Sequence, residues 1–132
     1  MKAMTASVTR GLQIGSRVKC VDNSGAKIVE IISIRGYKGV MRRHGGGGVG
    51  SVVICAVKKG TPKMKHEVVK AVIVRQKKEY RRHSGLRVKF EDNAVVLVND
   101  KFEPRGTTIK GAIAKEVVER FPVIGKIASI VV

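Results

Sequence analysis

Aromatic residues are scarce in this chain: it has no tryptophan, and Tyr37, Tyr80, Phe90, Phe102 and Phe121 are its only rings in 132 residues. Rings so few and scattered provide no platform on which successive unpaired bases could stack. Cysteine is as sparse. Cys20 and Cys55 lie far apart in apolar stretches, which excludes a disulfide framework or cysteine-built metal site and makes both buried free thiols. The apolar runs are short and interrupted by Lys, Arg and Gly, so no membrane span is expected. Met1 to Arg10 lacks the apolar segment and cleavage site of a secretory signal, which points to the cytoplasm. Acidic residues are few as well, 10 against 27 Lys and Arg.

Positive charge is what the chain has in excess. A formal charge of +17 repels itself in any compact state and calls for a polyanion. Nucleic acid fits best, because Lys and Arg release the condensed counterions of phosphates and gain affinity without reading sequence. A hydrophobic content of 43% exceeds that of a disordered basic tail, so the cations decorate a folded core. The length suits one compact domain over residues 1–132.

The pattern is mostly extended. Arg17 to Val21, Lys27 to Ile34, Val52 to Val57, Val68 to Val74, Leu86 to Phe90 and Ala94 to Val98 are rich in Val and Ile and read as strands. Leu86, Val88 and Phe90 alternate with Arg87 and Lys89, predicting a strand with one apolar and one cationic face. Turn chemistry at Asp22-Asn23-Ser24-Gly25, Ser84-Gly85 and Glu91-Asp92-Asn93 separates these runs and suits antiparallel neighbours. Such a series predicts an all-β fold, a small closed barrel over about 11–98, since closure removes exposed edges. Beyond a loop marked by Asn99, Asp100, Pro104 and Gly106, Ile113, Val117 and Phe121 recur every four residues and predict a short helix ended by Pro122. The helical C-terminal part covers about 107–132, with a second short element over Gly125 to Val132.

The cations gather in loops. Arg35, Lys38, Arg42 and Arg43 fall between the second and third predicted strands with no acid among them. Arg75 to Lys89 carries seven cations against the single Glu79 and reads as a projecting basic β-hairpin. One such run alone reads equally as solvated surface or as a phosphate-facing loop; two, with the overall charge, favour RNA contacted through its backbone and shape. Nucleotide motifs fail on context. Gly45, Gly47 and Gly50 match G-x-G-x-x-G but a strand follows them instead of a helix, and Gly106 and Gly111 have phosphate-loop spacing but are followed by Ala112 and Ile113. The glycines either let another surface approach closely or keep a loop mobile. His44, His66 and His83 lie beside basic residues in predicted loops and read as RNA-contacting or solvent-exposed, and Glu91 and Asp92 are adjacent turn residues whose side chains diverge. No catalytic group, metal or cofactor is expected. The alternatives are a small RNA-modifying or hydrolytic enzyme built on His44 or His83, which turnover on RNA would reveal, and a single-strand-binding barrel, which the sparse rings disfavour.

The segment from Ala71 to Leu97 resembles the signature of the L-fourteen family of large-subunit ribosomal proteins: Ala71, Val72, Ile73 and Val74, a basic insertion, Ser84-Gly85, then Phe90, Asn93, Val96 and Leu97. Val21-Asp22-Asn23-Ser24-Gly25-Ala26 and Pro104-Arg105-Gly106-Thr107 extend the resemblance over most of the chain. The longer N-terminus and the stretch from Val88 to Asn93 are similar to the archaeal and eukaryotic branch. The resemblance implies a five-stranded closed barrel with a projecting hairpin and a small helical C-terminal part. It also implies binding to large-subunit rRNA, contact with neighbouring large-subunit proteins, and a bridge to small-subunit rRNA. Factors that prevent subunit joining dock on relatives, which makes Thr107, Thr108, Lys115 and Arg120 the expected protein or subunit interface. For rRNA the expected residues are Arg35, Lys38, Arg42, Arg43, Lys77, Lys78, Arg81, Arg82 and Arg105. One departure is Ser51, where relatives often carry Asp after Gly-Val-Gly.

Overall fold

The computed structural model describes residues 1–132. In chain order the elements are β1 (Leu12–Gln13), β2 (Arg17–Cys20), β3 (Ala26–Ile34), β4 (Gly46–Gly47), β5 (Val52–Gly60), β6 (Val68–Arg75), β7 (Tyr80–Arg81), β8 (Arg87–Val88), β9 (Ala94–Val98), β10 (Ile109–Ile113), α1 (Lys115–Arg120), α2 (Pro122–Ile127) and β11 (Ala128–Val131). Five of them close a barrel in the order β2-β3-β5-β6-β9, antiparallel except where β2 meets β9 in parallel register, Lys19 opposite Ala94. The β2–β3 turn is built by Asp22, whose carboxylate accepts hydrogen bonds from the Ser24 backbone N–H and hydroxyl and, on the neighbouring strand β9, from the Leu97 N–H at 2.9 Å. An acceptor that serves two strands fixes their register.

Alternation along the strands fills the barrel interior with Val18, Val29, Ile31, Val53, Cys55, Val57, Ala71, Ile73, Val95 and Leu97. β6 and β9 do not alternate in burial, and every residue of β9 is buried. Their outward side chains, Val72, Val74, Val96 and Val98, enter a second core against Ile109, Ile113, Val117, Phe121 and Ile124 of the C-terminal part. The unbroken apolar runs Ala71–Val74 and Ala94–Val98 are the trace of strands covered on both faces.

Three local expectations need correction. Leu86 to Phe90 is not a barrel strand: only Arg87–Val88 is extended, it pairs with Tyr80–Arg81 outside the barrel, and Leu86 is 68% exposed. Ile113, expected to open the helix, belongs to β10, and the helix begins at Lys115. Pro122 ends α1 but also starts α2, where it stands at the first helical position, which needs no N–H donor. The C-terminal part is therefore two short helices framed by a two-stranded parallel pair, β10 with β11.

Both cysteines are free thiols, Cys55 buried and Cys20 half-buried. Burial pushes the Cys55 thiol up to about 12, and burial together with the neighbouring Asp22 carboxylate does the same to Cys20. Neither is a ready nucleophile.

Candidate nucleic-acid interface

β3 ends, β5 begins and β6 ends at one end of the barrel, so the loop 35–51 and the hairpin 76–93 leave it as neighbours. Gln76 ties them together. Its amide is fully buried, accepting from Val49 N–H (2.8 Å) and donating to the carbonyls of Thr9 (3.1 Å) and Lys78 (2.8 Å). The N-terminal arm, residues 1–10, runs through this junction. Gly46 lies against Arg10, Gly48 against Val8 and Thr9, and Gly50, at φ +83°, against Met4. A Cβ on Gly48 would come within 2.5 Å of the Thr9 carbonyl. Close approach, and not mobility, is thus what the glycine-rich stretch provides. Ser51 closes its turn by accepting from the Gly48 N–H through Oγ at 3.2 Å, an acceptor role that a carboxylate would fill equally.

Of the nine cations expected to face RNA, six carry no acidic partner: Arg35, Lys38, Arg42, Arg43, Lys77 and Arg81, all exposed. The Arg35 guanidinium lies 4.9 Å from the centre of the Phe102 ring, which orients it without neutralising it. Lys78 pairs with Glu79 at 3.1 Å and Arg105 with Glu67 at 3.1 Å, both in solvent-exposed settings. Such pairs are weak and open readily to a phosphate. Arg105 stands apart from the others, beside the β5–β6 connection.

Arg82 differs in kind. Its Nε donates to Glu116 Oε1 at 2.8 Å and its Nη2 to the Val132 carbonyl at 2.6 Å, with 13% of the side chain exposed. Burial opposes its charge, and the hydrogen bonds and charge of Glu116 outweigh that, leaving it held more firmly protonated than an ordinary arginine. Tyr80 Oη donates to the other Glu116 oxygen at 2.8 Å, and burial with that acceptor raises the phenol to about 12. The base of the hairpin is thereby bolted to α1. Arg75, also in the basic run, is engaged in the same way: it pairs with Asp92 at 2.8 Å and donates to the carbonyls of Lys110 and Ala112.

The expected protein-facing residues divide likewise. Thr107, Thr108 and Lys115 are exposed, with Thr107 pinned to Asn23 through its N–H (2.8 Å) and hydroxyl (2.7 Å). Arg120 is half-buried beneath the N-terminal arm, where Nη1 touches Met4 Sδ at 3.3 Å and its carbonyl accepts from the Lys2 N–H.

A second cationic surface escaped the sequence reading. Arg17, Lys19, Lys58 and Lys59, joined by the already expected Lys77 and by Glu91, Asp92 and Asn93, line an open groove of about 360 Å³. Its signal was the alternation Arg17-Val18-Lys19, which puts both cations outside and Val18 in the core. No histidine is hydrogen-bonded to a carboxylate, and no three His, Cys, Asp or Glu side chains converge as metal ligands.

Residues 11–132 match the family of ribosomal protein L14p/L23e. The chain belongs to that family. It is 52% identical, over all 132 residues of both chains, to large ribosomal subunit protein uL14 of Methanocorpusculum labreanum. The corresponding proteins of Methanoregula boonei and Methanospirillum hungatei are equally similar over their full lengths. The resemblance read from the motifs is thus established, as are the barrel architecture and the structural, non-enzymatic class. The arm lies outside the family match yet is spanned by all three relatives.

Proposed function

We propose that the chain works in the cytoplasm as a structural constituent of the large ribosomal subunit and binds its rRNA through the cations at the loop-and-hairpin end of the barrel. The observation that carries this reading is full-length similarity to large-subunit proteins, coupled with six exposed, unpaired cations on two adjoining connections. Arg35, Lys38, Arg42, Arg43, Lys77 and Arg81 supply the phosphate contacts. Lys78 and Arg105 join them by releasing their surface acids. Arg82 contributes by fixing the hairpin's base and not by meeting phosphate.

Around Thr107, Thr108 and Lys115 the chain meets neighbouring large-subunit proteins, small-subunit rRNA across a bridge, or factors that block subunit joining; Arg120 supports that surface from beneath the arm. The test is sedimentation of a lysate through a sucrose gradient, probing each fraction for the chain and for rRNA. Co-migration with the large subunit is expected; migration as a small free protein, in salt too mild to strip ribosomes, would refute the assignment.

A further inference from the structure

At the tip of the β3–β4 loop two apolar side chains stand side by side in solvent. Val40 is 58% exposed and Met41 88%, the most exposed of the large apolar residues. Folding gains nothing from them there, and each leaves apolar surface in water. The loop that carries them is shaped. The Arg43 N–H donates to the Val40 carbonyl at 3.2 Å, and Arg42 between them adopts φ +70°, a region uncommon for residues other than glycine. Its neck is closed by Tyr37, whose hydroxyl donates to the His44 carbonyl at 3.1 Å. The Tyr37 ring also packs so close over Gly39 that a Cβ there would lie 2.8 Å from it.

The surroundings choose the partner. Lys38, Arg42 and Arg43 flank the tip, and no acidic residue occurs between Glu30 and Glu67. A rim of one sign selects a polyanion, which leaves the apolar tip needing an apolar surface within that polyanion. In folded RNA that surface is the face of an unstacked base or an opened base step. Apolar wedges are inserted at such places by proteins that hold the backbone with cations, and the unbranched thioether of methionine adapts to an irregular gap.

We propose that Val40 and Met41 form an apolar wedge that lodges against an unstacked base or base step of the RNA, while Lys38, Arg42 and Arg43 hold the flanking phosphates. The wedge rests on the rRNA-binding reading above and adds a contact independent of salt.

The test uses the whole chain and deproteinised large-subunit rRNA, with filter binding over a salt series for the parent, V40S/M41S and R42Q/R43Q. Removing the wedge is expected to weaken binding about tenfold at every salt concentration without changing the slope, as burial of an apolar side chain implies. The R42Q/R43Q variant should instead flatten the log–log slope by about 1.4 to 1.8, from 0.7 to 0.9 per phosphate contact. Dimethyl sulfate probing should find a base whose reactivity changes with the parent and reverts with V40S/M41S. Because the tip touches no core, both variants should unfold at the parent's midpoint in urea. Parental affinity of V40S/M41S across the salt series would overturn the wedge while leaving RNA binding intact. If that variant bound rRNA normally but was lost from large subunits in a gradient, the tip would serve a protein. Absence of salt-dependent binding by the parent itself would remove the RNA reading and the wedge with it.

Discussion

Replacing Glu116 by Gln tests the bolt between the hairpin and α1. The carboxylate is 1% exposed and accepts from Tyr80 Oη at 2.8 Å, Arg82 Nε at 2.8 Å and Arg82 Nη2 at 3.4 Å. Glutamine keeps the shape but presents a donor where the second oxygen stood, so one of the incoming donors is opposed and the guanidinium loses its counter-charge. Breaking a buried pair from one side costs about 3 to 5 kcal/mol. The Val132 carbonyl still holds Arg82 Nη2, which sets the expectation at the lower end, about 3 kcal/mol. With an unfolding entropy of about 2.1 cal/mol/K per residue, that corresponds to a Tm lowered by about 10 °C. Urea unfolding and calorimetry of the free protein measure it. A companion cycle with Arg82→Met separates pair from packing: E116Q/R82M should be less unstable than the two losses added, by at least about 1 kcal/mol. A loss under about 1 kcal/mol for Glu116→Gln, or simple additivity, would refute the view that the pair organises this corner.

Arg81 and Arg82, adjacent in sequence, should behave oppositely: Arg81→Ala flattens the salt dependence of rRNA binding by about 0.7 to 0.9 in slope at unchanged stability, whereas Arg82→Ala lowers the unfolding midpoint. Equal slopes and equal midpoints for the two would contradict the division. Gly48→Ala drives a Cβ into the Thr9 carbonyl and Gln76, and should cost about 1 to 3 kcal/mol and expose the arm to protease, read as faster cleavage within residues 1–10. Unaltered proteolysis would show that the arm is not seated on the glycines. Alkali should destabilise the fold. Cys20, Cys55 and Tyr80 titrate at about 12 in the native state, above their ordinary 9.0, 9.0 and 10.0, so their contribution is complete below those ordinary values. As pH rises past 9 the unfolded chain releases protons that the folded chain keeps, and stability falls by about 1.4 kcal/mol per pH unit for each group so released, until about pH 12. Urea midpoints that stay level from pH 8.5 to 10.5 would contradict it.

Barrel strands were legible because their signals are local. Val and Ile runs bounded by Asp22-Asn23-Ser24-Gly25 or by Glu91-Asp92-Asn93 state both the strand and its ends. Leu86 to Phe90 misled for the same reason: its alternation is genuine, but Tyr80 beneath α1 decides where that segment lies, and Tyr80 is 36 residues from Glu116, its partner on that helix. β10 had no local signature. It contains Gly111 at φ +80°, lying against Arg75, and its partner β11 comes after two helices in parallel register. The start of α2, three residues before the second short element expected from Gly125, was hidden by Pro122, because a proline that ends one helix and one that begins the next look alike in sequence. For the site, the cation runs could be counted, but not which cations were already engaged. Glu116 lies 34 residues from Arg82, and Asp92 lies beyond a whole hairpin from Arg75.

The ten acids decide which cations are already engaged within the fold. Nine have a partner within the chain: Glu30, Glu67, Glu79, Asp92, Asp100 and Glu116 in ion pairs, and Asp22, Glu103 and Glu119 in hydrogen bonds. The acids with the least exposure do the most to fix the fold. Asp22 serves two strands, Asp92 holds Arg75 beneath β10, and Glu116 binds hairpin to helix. Eight of the 27 cations stand in these ion pairs and 19 do not. A chain that needed its cations only for solubility would intersperse acids among them on the surface. Here the loop with Arg35, Lys38, Arg42 and Arg43 lacks a single acid, although one would relieve the self-repulsion of a +17 molecule. That repulsion persists in the free protein and is relieved when phosphates arrive. On the rRNA-binding reading proposed above, the same residues that burden the isolated fold are those that hold it against RNA.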